Sequence, residues 1–247
     1  MIKLSVNVNK VATIRNSRGG RMPSVLEAAE RCVRAGAHGI TVHPRADARH
    51  ITATDVREIA GLLPRLDRAV EFNIEGDPRP DLLALVHEVR PDQCTLVPVQ
   101  PGELTSQAGW SSSTPLEVLG KVIRDLRDAN IRVSVFVDPE DAPVRWAADL
   151  GANRIELYTE PFARAFERGA ADAQRSFEEY RRSAELAHSL GLGVNAGHDL
   201  DLDNLVMFRT LPHLDEVSIG HALISRALFV GLEQSVRGFL SVLAETA

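Results

Sequence analysis

Eight short runs rich in apolar and β-branched residues recur along the chain, and a longer segment with helical spacing of its apolar residues follows each of them. The runs are Ile2–Val8, Gly39–His43, Val70–Glu75, Gln93–Pro98, Ile131–Val137, Arg154–Tyr158, Leu192–Ala196 and Glu216–Gly220. Val25, Ala28, Ala29, Cys32 and Val33 make one helical stripe. Val56, Ile59, Ala60 and Leu63 make a second, and Val118, Val122, Leu126 and Ala129 a third. Strands separated by helices must be joined by crossovers, which makes them parallel. Over 247 residues each unit has about 31 residues, close to the minimum for a crossover. Eight such units close most naturally into a (β/α)8 TIM barrel, an α/β fold. A doubly wound open sheet is the competitor. It usually carries a glycine-rich dinucleotide turn after the first strand, and Val6-Asn7-Val8-Asn9-Lys10 has none. The expectation is one barrel domain over residues 1–247, with extra helices.

Local punctuation agrees. Gly36, Gly151 and Gly191 stand where helices should end in a left-handed cap, and Thr52 or Thr54 and Asp201 where helices should begin. Two segments exceed what a barrel needs. Pro98–Pro115 is a loop rich in Gly, Ser, Thr and Gln, expected to serve as a lid. Thr159–Ser189 has room for an extra turn or helix before the next strand.

The composition excludes several classes. A net charge of -6 argues against a general grip on nucleic acid, though not against a local basic pocket. Two cysteines, Cys32 and Cys94, exclude a disulfide framework and read as buried packing residues. No apolar run is long enough for a signal peptide or a membrane span, so the cytoplasm is the expected compartment.

In a barrel of this kind, chemistry belongs at the C-terminal ends of the strands. Polar residues collect there: Asn7, Asn9 and Lys10 after the first run, His43, Arg45 and His50 after the second, and Asn73 and Glu75 at the third. Glu156 lies on the sixth, Asn195 and His198 at the seventh, and Gly220-His221 after the eighth. Each has a structural reading too. His43 could be a hydrogen-bonded core histidine, and Glu75 could pair with Arg45 or Lys10. Glu156 could sit in an interior ion pair, and Asp199 beside His198 could merely begin a helix. Taken jointly, the set suggests proton transfer on a phosphorylated substrate. Lys10, Arg18, Arg45 and His50 supply charge for one phosphate, and the glycine at Ser218–Leu223 opens a second anion site at a helix start. A zinc centre is the rival use of His43, His50, His198 and His221, but no HxH or HExxH spacing supports it. No GxSxG elbow is present for a serine nucleophile.

These stretches together resemble the pyridoxine 5′-phosphate synthase family. The matching segments are Val6–Gly19, Gly39–Arg45, Arg49–Thr52, Phe72–Glu75, Thr95–Pro98, Val194–His198 and Ile219–Ala222, in order over nearly the whole chain. The resemblance implies a (β/α)8 barrel with extra helices, assembled as a homo-octamer (a tetramer of dimers), without metal or organic cofactor. It implies condensation of 3-amino-2-oxopropyl phosphate with 1-deoxy-D-xylulose 5-phosphate to pyridoxine 5′-phosphate, phosphate and water. By motif position, His43 and Glu75 would be proton acceptors and His198 a proton donor, with Glu156 stabilising charged intermediates. Asn7, Arg18, Gly220 and His221 would hold the aminoacetone phosphate. Arg45, His50 and Thr105 of the lid would hold the deoxyxylulose phosphate.

The chain departs from the family pattern at three of these positions. Many members carry Asp-His where this chain has Asn9-Lys10, a contact for the deoxyxylulose phosphate, and often Gly where it has Asp199. Two other functions compete: a different sugar-phosphate barrel enzyme (an isomerase or aldolase), and a non-catalytic sensor of phosphorylated ligands. Lysine is scarce, at Lys3, Lys10 and Lys121, which weighs against a Schiff-base aldolase.

Overall fold

The computed structural model describes residues 1–99 and 106–244. Eight parallel strands pair in sequence order and close on themselves. They are β1 (Lys3–Asn7), β2 (Gly39–Val42), β3 (Glu71–Gly76), β4 (Gln93–Leu96), β5 (Arg132–Val137), β6 (Arg154–Tyr158), β7 (Gly193–Gly197) and β8 (Leu214–Ile219). The outer layer contains α1 (Asn9–Asn16), α2 (Val25–Arg34), α3 (Ala53–Leu62), α4 (Pro80–Val89), α5 (Leu116–Asp128) and α6 (Asp141–Asp149). It continues with α7 (Glu160–Arg168), α8 (Ala170–Ser189), α9 (Leu202–Phe208), α10 (His221–Val230) and α11 (Leu232–Ala244). The segment 159–189 thus holds two helices. Among the described residues no helix is long and apolar enough to cross a membrane.

The strands alternate with period two, and closure decides which set goes where. Leu4 and Val6, Ile40 and Val42, Phe72 and Ile74, Val133 and Val135, Ile155 and Leu157, and Val217 and Ile219 are all buried in the main apolar core, beneath the helices. Most of the alternate residues are polar and point inward, where many bond to one another, while Val97, Phe136 and Tyr158 form a small apolar cluster. Ser5 meets Thr41 at 2.7 Å, Thr95 donates to Asn73 at 3.0 Å, and Arg154 donates to Asn195 at 2.8 Å. At the N-terminal end Glu71 pairs with Arg132 and, at 3.3 Å, with Lys3. The lumen is therefore hydrogen-bonded where barrels of this class usually hold Val, Ile and Leu. Polar groups in such a place are tolerable where they satisfy one another, as most do; Ser134 Oγ and Glu216 Oε2 are buried without a partner among the described residues.

The local signals hold where local chemistry decides. Thr52 and Asp201 both form capping boxes, with Asp55 and Asn204, and Gly36, Gly151 and Gly191 have φ of 115°, 77° and 78°. Cys32 and Cys94 are buried, and burial pushes both thiols up to about 12. One stripe needs correction. On α5 the buried residues are Leu119, Gly120, Ile123 and Leu126, while Val118 is half exposed. The helix turns its Leu119–Ile123–Leu126 ridge to the sheet because that ridge carries the larger side chains.

Candidate active site

At the C-terminal rim a cavity of about 320 Å³ is lined by Asn7, Asn9, Lys10, His43, Arg45, His50, Glu75, Glu156, His198, Asp199, Gly220 and His221, together with Val97, Ser106, Phe136 and Ser218. Of the other residues singled out from the sequence, Arg18 sits on the exposed turn after α1, outside this lining. Thr105 lies outside the described residues. So do residues 100–105 of the expected lid.

The first strand organises the acid–base pair on the next two. Asn7 Nδ2 donates to Glu75 Oε2 at 3.4 Å, and its Oδ1 accepts from the Asn9 amide at 3.1 Å. Asn9 Oδ1 in turn accepts from the backbone N–H of His43 at 2.9 Å. His43 Nδ1 then lies 3.8 Å from Glu75 Oε2, and its Nε2 is buried without a hydrogen-bond partner among the described residues. Burial, reinforced by Arg45 and His50, holds the His43 imidazole well below its usual range. Burial raises the Glu75 carboxyl to about 8, against a hydrogen bond from Ser218 and with help from Glu216. At neutral pH both members of the pair are uncharged.

His50 is fixed from outside the barrel. Arg15 and Asn16, at the end of α1, donate to the His50 carbonyl at 3.2 and 2.9 Å, and Arg15 also grips Asp55. The Ile51 amide donates to His50 Nδ1 at 2.9 Å, so the neutral ring carries its proton on Nε2. Burial and then Arg45 lower its pKa to about 4. His50 is thus a neutral ring with its N–H on Nε2.

Glu156 occupies the floor. It is 4% exposed, and burial, then the charge of Glu75, raises its carboxyl well above the usual range. It fits only because residue 197 is glycine: a Cβ there would meet Glu156 Oε1 at 2.3 Å. At the end of β7, His198 and Asp199 both take positive φ, 82° and 50°. His198 lies edge-on to Tyr158 at 5.4 Å and tilted over Phe136 at 6.1 Å, and its Nδ1 donates to Asp199 Oδ2 at 3.2 Å. That hydrogen bond holds the Asp199 carboxyl below its usual range.

Two helices begin at the cavity. Asn9 and Lys10 open α1, and Gly220 is the residue before α10, which starts at His221. Their N–H groups favour anions. Glycine at 220 also lets Asn7 approach, since a Cβ would lie 3.1 Å from the Asn7 carbonyl oxygen. Among the described residues no group of three His, Cys, Asp or Glu side chains is placed to hold a metal ion. Sequence reasoning missed Val97, Ser106 and Phe136. Phe136 could have been found by parity, because it shares an inward face with Ser134.

Comparison with known proteins shows the fold and the family. The barrel superposes on the crystal structure of phosphoribosyl anthranilate isomerase from Thermotoga maritima with a TM-score of 0.63 at 15% identity, covering 98% of each chain, a likeness of fold alone. The pyridoxine 5′-phosphate synthase of Porphyromonas gingivalis is 49% identical over 245 residues, covering 99% of this chain and 100% of its own. That of Christiangramia forsetii is 50% identical over 244 residues, covering 98% and 100%. The family model described as "Pyridoxal phosphate biosynthesis protein PdxJ" matches residues 4–245. With a match of that extent and identity near one half over the whole length, the chain belongs to the pyridoxine 5′-phosphate synthase family.

Proposed function

We propose that this barrel condenses 3-amino-2-oxopropyl phosphate with 1-deoxy-D-xylulose 5-phosphate, giving pyridoxine 5′-phosphate, phosphate and water, and that its rim cavity carries the chemistry. The observation that supports this best is the convergence of four acid–base side chains with two separate anion loci on one cavity. Imine formation and ring closure are additions to carbonyl groups, enolisation is a proton transfer, and loss of phosphate and dehydration are eliminations, and each needs protons moved. They call for several acid–base groups and for no redox or metal cofactor.

His43 is one proton acceptor. With its Nδ1–H turned toward Glu75, its Nε2, without a partner among the described residues, is a base facing substrate, and the 3.8 Å gap is of the kind that closes when substrate binds. Glu75, protonated below about 8, first gives up its proton and is then the second acceptor, able to return the proton it takes. Glu156 stabilises positive charge. A cation developing above the floor favours its ionised form, so its negative charge appears as the intermediate needs it. His198 is the proton donor for the leaving oxygens.

The aminoacetone phosphate is held at Asn7, Gly220 and His221, where the α10 N-terminus offers N–H groups. Arg18 belongs to this group by motif position but stands at the exposed end of α1. The deoxyxylulose phosphate is held by Asn9, Lys10, Arg45 and His50, with a buried guanidinium and the start of α1 replacing the hydration the phosphate gives up. Asn9 keeps its Oδ1 on His43 and turns only its amide to the ligand. Asp199 is tied to His198 and kept from opposing the phosphate.

The test is product analysis with the purified protein and both substrates. Pyridoxine 5′-phosphate and phosphate in equal amounts are expected. Conversion of one substrate alone would favour an isomerase or aldolase, and binding without turnover a sensor.

The same reading makes the enzyme cytoplasmic and a homo-octamer built from dimers. Support for self-association comes from an apolar hollow lined by Val11, Ile14, Met22, Ile224 and Leu228, with Phe229 beside it 90% exposed.

A further inference from the structure

Thr159 stands directly before α7, where a threonine hydroxyl ordinarily accepts a hydrogen bond from the first turn of the helix. Here it makes no capping bond. The side chain is fully buried, and its single hydroxyl proton is directed instead at the carbonyls of Gly197, at 2.8 Å, and His198, which share it. Its backbone N–H also donates to Gly197, at 3.1 Å. The carbonyls it grips open the turn in which His198 and Asp199 are both left-handed, a conformation costly for two successive residues with side chains. Asn204 Nδ2 closes the other end by donating to the Asp199 carbonyl at 3.0 Å.

Such a turn persists only where its surroundings over-determine it. A relaxed turn would move the imidazole off Tyr158 and Phe136. We propose that Thr159 is a positioning residue: by giving up its helix cap for the carbonyls of Gly197 and His198, it holds the His198 imidazole in the cavity. The inference rests on the reading of His198 as proton donor in the synthase reaction.

A mutant cycle tests it. Thr159→Val should lower kcat by about 10-fold or more with the KM of both substrates within about twofold, and Thr159→Ser should recover most of the loss. In a His198→Asn background, Thr159→Val should cost less than about twofold, because residues acting as a unit are not additive. Full, additive losses in both backgrounds would overturn the inference, as would a normal kcat in Thr159→Val. If Thr159→Val does not fold, as judged by thermal unfolding, Thr159→Ala enters the same cycle.

A second readout does not depend on turnover. In protein labelled with 13C-histidine, the His198 resonance, assigned with His198→Asn, should move in Thr159→Val away from its place beside Tyr158. An unmoved resonance overturns the inference even if the wild type makes pyridoxine 5′-phosphate. A wild type that makes none overturns the synthase reading, and the resonance still decides on Thr159.

Discussion

Glu75 Oε2 lies 3.8 Å from His43 Nδ1, and both groups are held neutral by the same cause, burial at the rim of a closed barrel. At neutral pH the Glu75 carboxyl therefore keeps its proton opposite an uncharged imidazole, whose Nε2 has no hydrogen-bond partner among the described residues. Glu75→Gln and His43→Asn should each lower turnover by about 100-fold or more, the usual scale for acid–base groups. Steady-state kinetics check this, and wild-type rates in both variants would remove the assigned roles.

Arg45 is 7% exposed and lines the cavity beside His50. A charge-assisted hydrogen bond contributes about 1.5–3 kcal/mol, so Arg45→Ala should raise the KM for the deoxyxylulose phosphate by at least about tenfold. The KM for the aminoacetone phosphate should stay close to wild type. Equal effects on both substrates would mean that the two anion loci are not separate.

Gly197→Ala would place a Cβ 2.3 Å from Glu156 Oε1. The carboxylate has to leave the floor, so the variant should lose about 1–3 kcal/mol of stability and most of its turnover. Urea unfolding and kinetics measure the two together. An active, fully stable Gly197→Ala would show that Glu156 need not stay there.

Stability should depend on pH with a defined sign. His50, at about 4, and His43 bind fewer protons in the folded protein than in the unfolded chain, so their contribution is lost as pH falls below 6.5. Glu75 and Glu216, raised from 4.5 to about 8, bind more protons when folded, and their contribution is lost as pH rises through that window. Between about 4.5 and 6.5 the effects oppose each other. From about 6.5 to 8 only the carboxylates act, so the urea midpoint should fall. Glu216→Gln should flatten that fall, and a midpoint that rises instead would reverse the assignment.

Leu228 and Phe229, 69% and 90% exposed on α10, border the apolar hollow at α1. Leu228→Lys with Phe229→Lys should shift sedimentation to a smaller species if this face joins subunits. An unchanged mass would exclude the face from the assembly.

Much of this protein was legible residue by residue. Capping boxes at Thr52 and Asp201 and left-handed glycines at 36, 151 and 191 depend on neighbours a few positions away. The eight alternating runs likewise determined the strand count and the crossover order, and the rim positions of His43, Glu75, His198 and Gly220 followed from them. Alternation says which residues share a face but not which face is inside. Glu156 between Ile155 and Leu157 therefore stayed open until the sheet closed. Closure put helices outside, which forced Leu4, Ile74 and Leu157 outward and sent Ser5, Asn73, Glu156 and Phe136 into the lumen. The pairing of His43 with Glu75, the grip of Thr159 on the His198 turn and the ridge that α5 buries are likewise tertiary outcomes. They join groups far apart in the chain or choose between two apolar faces, and only packing with its desolvation costs selects among such arrangements.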